Sequence, residues 1–139
     1  MTENEIGKRI EVRKMTEQEC IGISNSLRGN LIKLSRIISF VDMDDVGRIE
    51  SYRLIEELST IILTYGGGIQ TPLKLGLIAD RMRKPVSMLC SLLESSPFIC
   101  KANQDACALA YTLNNIIEKD ILNENTEVTL NDELFDAPL

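Results

Sequence analysis

Apolar residues recur every three or four positions along most of this chain, and that spacing predicts amphipathic helices. The pattern covers four stretches, from Thr16 to Val41, from Asp45 to Tyr65, from Thr71 to Ser95 and from Gln104 to Leu122. Residues 10–15 alternate instead between apolar and charged side chains, which fits either a short strand or a helical lead-in. We therefore predict an all-α fold, a compact bundle of four or five helices.

Capping signals mark the starts of three of these helices. Thr16–Glu19 has the spacing of a capping box. The carboxylates of Asp42–Asp45 fit an N-cap and a first helical turn better than a metal site. Thr71 is a good N-cap and Pro72 suits the first helical position. Gly66–Gly68 ends the second helix and lacks the neighbours that a phosphate-binding loop requires.

Pro85 divides the third stretch, because proline cannot donate a helical hydrogen bond and disfavours helical geometry at Lys84. We predict two short helices that meet at a corner formed by residues 83–85. The buried positions on either side resemble the general helix-turn-helix pattern, with Ile78, Ala79 and Met82 in the first helix and Leu89 and Leu92 in the second. The resemblance implies a DNA-reading second helix. Its outward face, however, offers Ser87, Met88 and Ser91 where Arg, Asn or Gln readers are expected.

Residues 72–101 hold five Lys/Arg against two Asp/Glu, in a chain whose net charge is −6. The negative total argues against a general attraction of the surface to nucleic acid or anionic membranes. A local contact with phosphates or with an acidic partner is the remaining option. The candidate contact residues are Lys74, Arg81, Arg83, Lys84, Ser87 and Lys101.

Residues 123–139 contain five Asp/Glu and no Lys or Arg. This composition predicts a helical domain over residues 1–122 followed by an acidic, flexible C-terminal tail. The tail is similar to the acidic-hydrophobic tails by which replication and transcription factors engage a sliding clamp or a polymerase. Its candidate protein-docking residues are Leu130, Leu134, Phe135 and Leu139. Two alternatives are a tail without a docking role and a tail that folds back over the positive segment.

The side-chain inventory excludes several kinds of chemistry. The chain has no His, so Ser-His-Asp, Cys-His and His-dependent zinc sites are ruled out. Four Cys occur without a Cys-x-x-Cys pair, which favours reduced thiols packed as small apolar side chains. We expect no enzyme, no cofactor and no metal. Neither a membrane span nor a signal peptide is indicated, so we expect an intracellular, cytoplasmic protein without a membrane partner.

These observations predict a non-enzymatic small regulatory or adaptor protein that acts by macromolecular binding, with the transcription or replication machinery as one setting. A protein partner is expected. One alternative is a helix-turn-helix DNA-binding regulator acting as a homodimer, since one reading helix rarely supplies enough affinity. The other is a secretion-type chaperone or an inhibitor protein.

Overall fold

Four helices account for most of the residues that the computed structural model describes, which are residues 9–96, 100–122 and 127–129. The helices are α1 (Glu17–Ile37), α2 (Asp45–Tyr65), α3 (Pro72–Glu94) and α4 (Lys101–Asn115). A 3₁₀ turn, Ile38–Phe40, follows α1, and a π-helix, Ile116–Ile121, follows α4. Two short strands, β1 (Arg9–Glu11) and β2 (Glu127–Thr129), pair antiparallel with Ile10 opposite Val128. The prediction of an all-α bundle is confirmed.

The predicted caps begin their helices. Thr16 accepts from the Glu19 amide at 3.1 Å, and Glu19 accepts from the Thr16 amide at 3.2 Å, which completes the capping box before α1. Those bonds and the nearby Arg13 hold the pKa of the Glu19 carboxyl below its ordinary value. Asp44 caps α2 by accepting from the amide of Gly47 at 2.7 Å. Thr71 caps α3, whose first residue is a proline.

The predicted corner at Pro85 is wrong, because α3 continues through it as a single helix. A proline inside a helix costs roughly 3 kcal/mol. Burial offsets that cost, because the buried side chains keep one helical phase on both sides of the proline: Leu75, Ile78, Ala79, Met82, Pro85, Val86, Leu89 and Leu93. A corner would turn half of this stripe away from the core. Residues 71–95 therefore do not form the helix-turn-helix-like hairpin.

The core lies between the four helices, and α3 contributes the most buried residues to it. The helices form a ring in which α2 packs along α3, α3 along α4 and α4 along α1. The contact that closes the ring, between α1 and α2, is the least extensive of the four.

The buried face of α2 differs from the expected one. Its core residues are Leu54, Ile55 and Leu58, whereas Ile49 and Tyr52, which precede Ile55 at helical spacings of six and three residues, are 70% and 44% exposed. The apolar residues of α2 are spread around too much of the helix for one face to bury all of them. Packing against α3 selects one face, and the rest of the apolar surface stays outside.

Polar side chains fix the connections between the helices. The Asn103 amide, 1% exposed, accepts from the Asp42 N–H at 2.8 Å and donates to the Asp42 carbonyl at 3.0 Å. Arg48 donates to the Val41 carbonyl at 2.6 Å. At the other end of the bundle, the Arg13 N–H donates to the Ile121 carbonyl at 2.8 Å, which attaches the segment after β1 to the π-helix.

The strand β2 lies within the segment that the sequence predicts to be a flexible tail. Its three residues, 127–129, pair with β1, so the short strand is the correct one of the two options for the start of the alternating segment. The four predicted docking residues, Leu130, Leu134, Phe135 and Leu139, lie outside the described residues.

Candidate functional site

The six residues predicted to contact nucleic acid or an acidic partner do not form one surface. At about 100° per residue, the nine positions between Lys74 and Arg83 place them on roughly opposite sides of α3. Arg83 forms a bidentate ion pair with Glu118 of the π-helix, with N–O distances of 2.6 and 2.9 Å. Lys101, at the start of α4, pairs with Asp105 at 3.5 Å. Lys74, Arg83 and Lys101 therefore do not share one surface.

The remaining members of the set are also dispersed. The Arg81 guanidinium lies 5.8 Å from the centre of the Tyr65 ring, a cation–π contact between α3 and α2. Lys84 and Ser87 are exposed on the middle of α3. Lys74 and Arg81 share one side of α3, where both contact the end of α2 or the loop after it, whereas Arg83 and Ser87, four residues apart, share another.

The loop after α2 is held by side chains from two other helices. The Gly66 carbonyl accepts from Arg28 of α1 and from Gln70 Nε2, the latter at 2.8 Å. The Gly67 carbonyl accepts from Lys74 Nζ at 3.1 Å. Because α2 has no basic residue in its own last turn, these cations complement the negative end of its dipole. Gly68, with φ of 73°, is the position that requires a residue free of a Cβ.

An apolar depression of about 410 Å³ lies on the seam between α1 and α2. We call it the α1–α2 groove; it is lined by Arg28, Leu31, Ile32 and Ser35 of α1, by Ser59, Ile62 and Leu63 of α2, and by Gly67. The two helices are antiparallel here, since Arg28 contacts the end of α2 while Arg48, near its start, donates to the Val41 carbonyl just after α1. Ile32 is 48% exposed and Leu63 is 83% exposed. Two large aliphatic side chains therefore stand at the rim of a concave apolar surface.

The pattern of apolar residues along the sequence does not predict this groove. One signal was available: Ile32 and Leu63 are apolar residues left over once the helical stripes of the core have been assigned. Leftover apolar residues mean little singly, because apolar atoms form a large part of any protein surface. Ile32 and Leu63 form one surface only because α1 and α2 are neighbours, and the periodicity within each helix does not predict which helices are neighbours.

The cysteines behave as core residues. Cys20, Cys90 and Cys107 are buried, and Cys100 is half-buried. Burial, with smaller contributions from Cys107 and Glu94, raises the pKa of the Cys90 thiol to about 11. Burial also raises the pKa values of Cys20 and Cys107. A raised pKa disfavours the thiolate, which is the nucleophilic and metal-binding form.

Among the described residues, no group of three or more His, Cys, Asp or Glu side chains is placed to hold a metal ion. No helix among them is both long and apolar enough to cross a bilayer.

Three surface features could therefore contact a partner: the α1–α2 groove, the cations of α3 and the exposed apolar residues of α2. No protein family model matches the chain, and comparisons with curated proteins and with solved structures also give no match.

Proposed function

We propose that this protein is a small regulatory or adaptor protein that binds an apolar segment of a partner protein in the α1–α2 groove. The observation that carries the proposal is the groove itself, an apolar concavity between two antiparallel helices with Ile32 and Leu63 exposed at its rim. Grooves of this kind receive the apolar face of an amphipathic helix. No catalytic constellation enters the proposal.

The binding free energy available from Ile32 and Leu63 alone is too small for a stable complex, so the rest of the groove must also contact the partner. Full burial of an exposed aliphatic side chain contributes about 1.5–3 kcal/mol. Covering the exposed parts of Ile32 and Leu63, which are 48% and 83% of those residues, would contribute roughly 2–4 kcal/mol. A millimolar complex already requires about 4 kcal/mol net. The walls of the groove and the side chains of the occupant must therefore contribute as well.

The test is cross-linking from inside the groove in extracts of the cells that express the protein, after nuclease treatment. A photoreactive residue replaces Ser59, which lines the groove, or Ser87, which is exposed on α3. We expect a discrete protein adduct from position 59 alone. Ile32→Asp and Leu63→Asp should remove at least about nine-tenths of it, because each places a charge on the contact surface.

A matched control comes from α3, where Met88 is 40% exposed and lies away from the groove. Met88→Asp should leave the adduct from position 59 unchanged. Equal adducts from positions 59 and 87, or an adduct that survives both groove substitutions, would contradict the proposal.

A further inference from the structure

We propose that the occupant of the α1–α2 groove is an acidic amphipathic helix of the partner, and that Arg28 pairs with one of its carboxylates. This inference rests on the proposed function and adds the chemistry of the partner. It follows from the charges around the groove, from the bonding of Arg28 and from the symmetry of the exposed face of α2.

The walls of the groove carry positive charge without a matching carboxylate. Arg28 is the one charged side chain among the residues that line the groove, and α1 holds no Asp or Glu between Cys20 and Ile37. The α2 wall, residues 58–65, contains no charged side chain. A cation at the edge of an apolar concavity is complementary to an apolar segment that carries an Asp or Glu beside it, and it disfavours a basic segment.

The nearest carboxylates along α2 do not line the groove. Glu56 and Glu57 line a shallow polar depression on the α3 side of α2, together with Arg53 and Arg81. Glu57 accepts from Arg53 there at 3.4 Å. Glu56 lies on the same side of α2 as Leu63, two turns before it, so the charge that lines the groove itself is that of Arg28.

Arg28 can turn toward a ligand without orphaning the group it now contacts. Its guanidinium donates to the Gly66 carbonyl, but the same carbonyl also accepts from Gln70 Nε2 at 2.8 Å. When Arg28 leaves, the bond from Gln70 keeps that oxygen satisfied. A redundant donor at the end of an apolar groove is well suited to exchange a neutral carbonyl for a carboxylate, because charge-assisted bonds are the stronger ones.

The exposed face of α2 argues against a second copy of this chain as the occupant. Ile49 and Leu63, which are 70% and 83% exposed, lie seven residues on either side of Glu56. A two-fold pairing of this face would therefore bring Glu56 against its own copy near the axis, and facing like charges are destabilising. A helix from a different protein need not place a carboxylate opposite Glu56.

The experiment uses the full chain and a displayed library of random amphipathic helical peptides as the probe. Peptides are selected on the wild type, with Leu63→Asp protein as the counter-selection so that only groove binders remain. We expect enriched peptides to combine an apolar stripe with Asp or Glu at one fixed position. Their affinity should fall about tenfold or more for Arg28→Glu, and swapping that acidic residue to Lys should restore binding to the variant.

Lys33→Glu is the matched control, because it makes the same charge change on the same helix without lining the groove. Thermal unfolding shows whether each variant folds. If Arg28→Glu does not fold, Arg28→Gln takes its place in the affinity measurement. Enriched peptides without a preferred acidic position, or equal losses in the Arg28 and Lys33 variants, would overturn the inference alone. Selection of no groove-dependent peptide would overturn the proposed function with it. Self-association of the wild type in sedimentation, lost in Arg28→Glu, would assign the groove to a second copy and overturn the partner helix.

Discussion

Replacing Asn103 with alanine removes two hydrogen bonds that hold the loop between α1 and α2 against the start of α4. The amide accepts from the Asp42 N–H at 2.8 Å and donates to the Asp42 carbonyl at 3.0 Å. A net contribution of about 0.5–1.5 kcal/mol for each bond predicts a loss of about 1–3 kcal/mol in the free energy of unfolding. The upper part of this range is expected, because Asn103 is 1% exposed and water cannot take the place of the missing amide.

The assay is urea unfolding of the wild type and the variant, with amide hydrogen exchange read at Asp42. Asn103→Ala should lower the midpoint and should speed exchange of the Asp42 amide, while the secondary structure persists. Asn115→Ala, an exposed position at the end of α4, is the control and should change stability by less than about 0.5 kcal/mol.

Asn103→Asp distinguishes destabilisation by the lost hydrogen bond from destabilisation by lost side-chain volume, because Asn and Asp have nearly the same size. At neutral pH the buried carboxylate faces the Asp42 carbonyl and cannot donate to it. Burial should raise the pKa of this carboxyl above its unfolded value, so protonation favours the folded state and the deficit should shrink as pH falls. A loss below about 0.5 kcal/mol in Asn103→Ala, with unchanged exchange at Asp42, would refute the reasoning.

Two other predictions concern the backbone and the thiols. Gly68→Ala should cost about 1–2 kcal/mol, because φ is 73° there, whereas Gly67→Ala, in open space, should be close to neutral; equal effects in denaturant unfolding would contradict this. The pKa of Cys90 is raised from 9.0 to about 11, so above pH 9 the unfolded chain loses its thiol proton first and stability falls until about pH 11. Relative to Cys90→Ala, the wild type should lose about 2–3 kcal/mol between pH 8 and pH 11 in unfolding experiments, and a constant difference would show that burial does not govern this thiol.

Helix starts were the most predictable part of the fold. Thr16, Asp44 and Thr71 cap their helices as their positions in the sequence indicate, because an N-cap uses hydrogen bonds between residues two or three apart. The apolar spacing also identified the helical stretches themselves. These features are local, and the order of residues is enough to define them.

Pro85 shows where local reasoning fails. Its missing N–H predicts an interruption, and the same residue lies buried in the middle of α3. Whether the cost of a proline is accepted depends on how much apolar surface an unbroken helix buries against α2 and α4. That comparison requires the neighbours to be known.

Charge was the least predictable property. The sequence shows a local surplus of Lys and Arg in residues 72–101, but the fold directs Arg83 to Glu118 and Arg81 to Tyr65, on different sides of α3. Arg28, which was not among the predicted contact residues, lines the α1–α2 groove instead. A cation acts through the groups that surround it, and those groups come from distant parts of the chain.

The sequence by itself therefore determined that this protein is all-α, where three of its helices begin, and which kinds of catalytic chemistry its side chains cannot support. The tertiary structure decided that α3 is continuous, that residues 9–11 pair with residues 127–129, and that the least extensive seam of the ring, between α1 and α2, leaves an apolar groove. The physical reason is the separation along the chain between the residues that interact. Caps and periodicity act within a few turns of one helix, whereas a groove and its charge exist only where two helices, far apart in sequence, lie side by side.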